Sequence, residues 1–290
     1  IETIAETDDS LLERYLEGKD ISQEELKAAL KKAVAKGKIF PILSGSALKD
    51  RGIKELLDFI VDFMPSPLER IPVSASDPNS KEKKDIKLTE DAPFSAFVFK
   101  SVSDPFVGQL TVMRIFSGKL ASNTGFYNVT RGAKERIGSI MLLRGKEQRP
   151  IQSGSCGDIV AVAKLKDTHL GDTLADEKLP VLFDPIVFPE PVYSSSVKPK
   201  TRADEDKISE ALAKLCASDP TFMTSRDAQT KELVISGMGD QHVDVMVKRL
   251  KERFNVEVEI GTPKIPYHET IKRSAKAQGK HKKQSGGRGQ

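Results

Sequence analysis

From Ser10 to Met64 apolar residues fall three and four positions apart, the repeat of one helical face, and predict helices over 10–17, 22–36 and 52–64. Ser22 and Glu25 stand in the capping-box arrangement at the start of the second helix. The third carries Ile53, Leu56, Leu57, Ile60 and Phe63 in line, and Met64-Pro-Ser-Pro67 stops it. Ile39-Phe-Pro-Ile-Leu43, short and apolar, reads as a buried strand. Residues 1–70 therefore form one α/β block, and the polar, charged, proline-bearing stretch 71–91 is expected to be a linker.

The pattern then changes. Phe94–Phe99, Leu110–Phe116, Gly125–Val129, Ile137–Leu143 and Asp158–Ala163 are short strand-like runs divided by Gly, Asn, Asp and Ser. Their regular spacing, with no helical segment among them, predicts a closed or nearly closed β-barrel over 92–178. A second connector, 179–191, contains Pro180, Pro185, Pro189 and Pro191. Beyond it come a strand at Val192–Val197 and a helix at Asp204–Cys216 with Ile208, Leu212 and Leu215 in line. A strand pair follows at Thr221–Arg226 and Glu232–Ser236. Val243, Met246, Val247, Leu250 and Phe254 then make one helical stripe, and Val256–Ile260 alternates between core and solvent. The order β-α-β-β-α-β over 192–262 is the ferredoxin-like split motif. The expected fold class is thus multidomain: α/β, then β, then α+β.

A chain of 290 residues fits two or three domains. The longest apolar runs are far too short to span a bilayer, and no signal peptide opens the sequence, so no membrane partner is expected. Cys156 and Cys216 are too few and too far apart for a disulfide framework or a zinc site, which fits a reducing cytoplasm. The net charge of +4 conceals a gradient. Nine carboxylates lie between Ile1 and Leu26, whereas Thr270–Gln290 holds seven cations and no carboxylate. Those cations, Lys272, Arg273, Lys276, Lys280, Lys282, Lys283 and Arg288, are interspersed with glycines, a composition suited to the phosphates of RNA or to a solvated tail. No aromatic residue lies among them, so backbone contact is indicated and base stacking is not.

One junction carries most of the candidate chemistry. A β-branched run ends in Gly237-Met-Gly239 and passes into Asp240, Gln241 and His242 at the start of a helix, with Asp240 placed to cap its first turn. Such a junction can hold a phosphate, a metal or nothing. Asp240, His242 and Asp244 lie two apart and so point about 200° from one another on a helix, a poor metal set. The third glycine of a dinucleotide fingerprint is missing. A tight structural turn is the expectation, with no metal and no catalytic residue.

Asp104-Pro-Phe-Val-Gly-Gln-Leu, Ser117-Gly-Lys-Leu, Gly157-Asp-Ile-Val-Ala and Gly171-Asp-Thr-Leu are similar, in order and spacing, to the second domain of translation elongation factor G, a translation-factor β-barrel. Pro189-Glu-Pro-Val, Lys198-Pro-Lys, Ala203-Asp and Asp219-Pro-Thr-Phe resemble its third. Tyr267-His-Glu-Thr-Ile and Gly286-Gly-Arg-Gly-Gln resemble the opening of its fourth. The resemblance implies an internal segment. Residues 1–70 would end a GTPase domain, 92–178 and 192–262 would be domains II and III, and 263–290 a truncated start of domain IV. Ser44-Gly-Ser-Ala47 would be the last guanine-nucleotide motif, with Ser46 and Ala47 against the base; a plain strand-to-helix turn fits the same residues. Gly239-Asp-Gln-His-Val-Asp244 departs from the family's commoner Gly-Glu-Leu-His-Leu-Glu, marking a divergent paralogue.

Neither a Gly-x-x-x-x-Gly-Lys-Ser/Thr loop nor Asn-Lys-x-Asp occurs, so this segment is expected to hold no cofactor and hydrolyse nothing. GTP and magnesium would belong to a full-length parent, and the ribosome (its RNA and proteins) would be the partner of a monomer that promotes translocation. Ribosome recycling or ribosomal protection is the alternative within this class. A non-enzymatic RNA-binding scaffold is the alternative outside it.

Overall fold

The computed structural model describes residues 1–69, 73–104, 107–145 and 147–279. The chain divides into two compact units at Phe188–Pro189. In the first, helices α1 (Glu2–Ala5), α2 (Asp9–Leu16) and α3 (Gln23–Ala35) enclose a small core of Ala5, Leu11 and Ala29. Both reciprocal bonds of the capping box form: Glu25 N–H donates to Ser22 Oγ at 3.2 Å, and Ser22 N–H donates to Glu25 Oε2 at 2.9 Å. Arg14 adds a 2.6 Å ion pair to Glu25. Together the Arg14 guanidinium and the Ser22 donors hold the Glu25 carboxyl down at about 2.

The expected strand at Ile39–Leu43 does not form, and Phe40 and Ile42 are 80% and 96% exposed. A buried strand needs sheet neighbours for its backbone groups, and none lies beside this stretch among the described residues. Helix α4 (Ile53–Phe63) forms, yet its apolar face carries Leu57 and Val61 at 57% and 79% exposure.

Residues expected to be a linker between the first two blocks instead carry a hairpin, β1 (Val73–Ser76) with β2 (Lys83–Ile86). Ser76 bonds Leu182 in both directions, at 2.7 and 2.8 Å, which ties part of the second connector to this hairpin. Phe183 is buried with its ring 4.9 Å from Phe116 and edge-on to Phe97. Polar composition concealed these contacts because backbone pairing and one aromatic ring supply them.

The remaining strands of the first unit are β3 (Ser95–Asp104), β4 (Gly108–Ser117), β5 (Lys119–Ala121), β6 (Gly125–Asn128), β7 (Ala133–Arg136), β8 (Ile140–Arg144), β9 (Glu147–Ile151), β10 (Ser153–Ser155), β11 (Ile159–Ala163) and β12 (Thr173–Ala175). Eight of them make one antiparallel sheet in the order β7-β6-β12-β3-β4-β11-β8-β9, and β5 pairs with β10. The sheet is barrel-like: alternate residues Val98, Met113, Ile115, Ile140, Val160, Val162 and Leu174 all bury into one cluster. The short strands β5, β7, β9, β10 and β12 are polar or too brief for periodicity to reveal.

The second unit is ferredoxin-like. Strands β13 (Tyr193–Pro199), β14 (Met223–Arg226), β15 (Leu233–Gly237) and β16 (Val258–Gly261) form a sheet in the order β14-β15-β13-β16. Helices α5 (Arg202–Ser218) and α6 (Asp240–Phe254) share its core. Ile208, Leu212 and Leu215 meet Val243, Met246 and Leu250 over Val197, Ile235 and Val258. Asp204 fastens helix to strand, accepting from Thr201 N–H and Oγ–H and from Glu257 N–H. The alternation predicted for Val256–Ile260 fails at its end, where Ile260 is 42% exposed.

Candidate functional site

Three places inherit the candidate residues. The first is the turn ahead of α4. Ser46 and Arg51 pair in a two-way bridge, with bonds of 2.9 and 3.1 Å, around a single 3-10 turn at Ala47–Lys49. Gly52 closes it at φ +73°, where a Cβ would sit 2.6 Å from Ser44 O, so no larger residue fits. Ser46 is half-buried and Ala47 exposed. An open depression of about 540 Å3 lies alongside, lined by Asp50, Arg51, Gly52, Ile53, Lys54 and neighbours, and Ser46 and Ala47 are not part of its wall.

The second is the junction of β15 and α6. Gly239 precedes the helix with extended backbone at φ 177° and open space around its Cα, so it is not required by strain or contact. Gly237 is closely approached: a Cβ there would come to 3.0 Å from His242 Nδ1 and 3.2 Å from Val243, so those side chains would have to give by a few tenths of an ångström. Asp240 does not cap as expected. It is the first residue of the helix, and its carboxylate accepts from the adjacent Gln241 N–H, at 2.7 Å, rather than from the next turn. His242 supplies the turn's acceptor instead, since Met238 N–H donates to its Nδ1 at 3.1 Å while its ring meets Phe222 edge-on. That bond makes the imidazole part of the turn, with the proton on Nε2. Of the positions that depart from the family pattern, Gln241 sits at the surface and Val243 is buried in the core. Among the described residues no group of three or more His, Cys, Asp or Glu could hold a metal ion.

The third is the basic C-terminal stretch. Lys272, Arg273 and Lys276 are exposed and outside any helix or strand. Lys280, Lys282, Lys283 and Arg288 lie outside the described residues. The stretch leaves the domain along the β14–β15 turn, where Lys264 N–H donates to Glu232 at 2.8 Å and Gln229 bonds His268 at 3.0 Å.

Sequence reasoning missed a polar network inside the barrel-like domain. Asp172 is 2% exposed, and its carboxylate accepts from Asn128 Nδ2 at 2.9 Å, His169 N–H at 2.8 Å and Arg131 Nε at 3.2 Å. Glu135 accepts from the backbone of Lys166 and Asp167 and from Thr168 Oγ–H. The available signal is Gly171-Asp-Thr-Leu, in which an aspartate directly precedes β-forming residues and, if buried, needs donors. Nearby, an open groove of about 780 Å3 is lined by Phe94, Tyr127, Lys119, Lys134, Arg136 and Lys178 among others. No helix among the described residues is long and apolar enough to cross a membrane.

Comparison with known proteins gives these units a family. Residues 93–177 match the family model for elongation factor G domain 2, and residues 188–262 match that for elongation factor G, domain III. Elongation factor G of Ureaplasma parvum is 46% identical over 292 aligned residues, covering all of this chain and 42% of its own length. Both matched domains belong to the elongation factor G family. Elongation factor G of Ureaplasma urealyticum matches with the same identity and coverage. A crystal structure of a Thermus thermophilus protein superposes with a TM-score of 0.74 at 32% identity, over 91% of this chain and 37% of that one. The chain thus spans about two fifths of the length of these elongation factor G relatives. Its barrel-like unit and its ferredoxin-like unit are domains II and III of the family.

Proposed function

We propose that this chain is the central part of a ribosome-binding GTPase that promotes translocation during protein synthesis. The observation that carries the reading is the unbroken similarity to elongation factor G across the whole chain, with the domain 2 and domain III models matching in sequence order. On this reading residues 1–70 end the GTPase domain and Ser46 and Ala47 touch the guanine base. The apolar residues bared at Phe40, Ile42, Leu57 and Val61 support it, since they suit the core of a larger domain. The barrel and domain III contact the ribosome and relay the nucleotide state, and residues 263–290 begin domain IV. GTP and magnesium are held by parts of the protein beyond these residues.

The test uses full-length protein containing this segment. Ribosomes should stimulate its GTP hydrolysis, and a toeprint should advance by one codon on pretranslocation complexes. Stimulated hydrolysis without movement would reassign it to recycling or protection. No stimulation at all would refute the GTPase reading.

A further inference from the structure

We infer that residues 262–268 form a latch, in which Glu232 and Gln229 of the β14–β15 hairpin clasp the chain as it leaves the ferredoxin-like unit and set whether the basic stretch beyond is held or released. Only this unit and the chain that follows it take part, so the latch stands apart from the ribosome-binding reading.

The hairpin offers a fixed platform. Asp227 Oδ1 accepts from Gln229 N–H at 2.9 Å, Thr230 N–H at 2.7 Å and Thr230 Oγ–H at 3.0 Å. The turn is closed by Asp227 N–H donating to Glu232 O at 2.9 Å and Lys231 N–H donating to Asp227 O at 3.0 Å. Lys231 takes a left-handed backbone within it, at φ +59°. Glu232 therefore projects from a backbone that is already fixed, and its side chain is only 10% exposed. A carboxylate held in this way loses little freedom on accepting a partner.

The chain turns back to meet it. Strand β16 ends at Gly261, opposite Ser196 of β13, and Ser196 in turn lies opposite Val234 of β15. Both alternate with Val197 and Ile235, which join the helices in the core, so Ser196 and Val234 lie on the helix-free face. By the same alternation Glu232 shares that face. Ser196 is 5% exposed, and its Oγ–H donates to Thr262 O at 3.4 Å. Residues 262–264 thus fold back over this face to the hairpin. There one Glu232 oxygen accepts from Lys264 N–H at 2.8 Å, and the other lies 3.6 Å from Lys264 Nζ. Gln229 Nε2 and His268 Nε2 meet at 3.0 Å. Ile265, Tyr267 and Ile271 are 68%, 86% and 82% exposed, so hydrophobic burial does little to hold the connector. Its position depends on a few polar contacts, and segments held in this way open far more readily than the core unfolds. Lys272, Arg273 and Lys276 begin just beyond, so the clasp fixes where the cations start.

Amide hydrogen exchange of the full chain tests the latch. Glu232→Ala should speed exchange of the Lys264 amide by roughly tenfold or more, the scale of a hydrogen bond to a charged group. Glu232→Gln should speed it less, because the amide oxygen still accepts while the ion pair is gone. Trypsin cleavage after Lys264 should rise in the same order, since the protease takes only released chain. Amides of β13, at the centre of the sheet, should exchange as before in both variants. Glu252→Ala, which removes an exposed carboxylate of α6, should change none of these. Lys264 exchange that is equal in Glu232→Ala and the unsubstituted chain would overturn the latch. Acceleration that spreads to β13 would overturn it as well, because Glu232 would then be part of the fold and not a clasp on the connector.

Discussion

Leu250→Ala tests whether the stripe on α6 carries domain III. Leu250 is fully buried among Ile208, Leu212, Ile235 and Met246. The substitution deletes three carbons, and at about 0.8 kcal/mol each their transfer accounts for roughly 2.4 kcal/mol. Helices and sheet both border the site and cannot close fully around the void, which adds about 1 kcal/mol or more. The expected cost is therefore roughly 3 to 4 kcal/mol. Val245→Ala on the same helix is the control, because Val245 is 46% exposed and should change stability by no more than about 0.5 kcal/mol. A global melt would mix several domains, so native-state hydrogen exchange of α6 and β15 amides is the suitable assay. Leu250→Ala should speed their exchange by roughly two to three orders of magnitude, since about 1.4 kcal/mol is tenfold. Acceleration below tenfold, or an equal effect from Val245→Ala, would show that the stripe is not the core.

Three further outcomes are expected. His242→Ala should destabilise domain III by about 1 kcal/mol through the lost acceptor for Met238 N–H, whereas Asp240→Ala should cost less; exchange of the Met238 amide distinguishes them, and the reverse order would restore Asp240 as the cap. Gly52→Ala should disrupt the Ser46–Arg51 bridge by at least about 1 to 2 kcal/mol from its left-handed backbone alone, read as faster exchange at both amides. Asp204 is held below the ordinary carboxylate range, first by the Thr201 hydroxyl and next by Glu257 N–H. A carboxyl lowered in the folded state stabilises fully above its unfolded value near 3.9, and that contribution fades as pH falls below it. Melting of domain III should therefore drop as pH is taken from about 5 to below 4, and Asp204→Asn should flatten that part of the curve. An unchanged slope would remove Asp204 from the explanation.

Periodicity was sufficient wherever one face of an element meets a core. The α3 capping box, the α5 and α6 stripes and the ferredoxin-like strand order were legible because three- and four-residue spacing leaves helical residues no other way to share a face. The barrel's longer strands were legible for the same reason at period two. Where pairing is made by backbone alone the pattern is silent, so β1, β2 and the Ser76–Leu182 bridge lay hidden in stretches that look like linkers. The candidate turn shows the same division. Its place between strand and helix could be read from Leu233 to Phe254, but composition assigned the cap to Asp240 where geometry gives the acceptor role to His242. Ile39–Leu43 marks the limit from the other side: apolar residues suit a buried strand, but a strand exists only beside neighbours whose backbone groups complete its own. Local sequence thus determined the elements and their faces. Only the tertiary structure decided which polar groups meet, because Asn128 of β6, Glu135 of β7 and the Thr168–Asp172 loop come together through contacts that no spacing along the chain encodes.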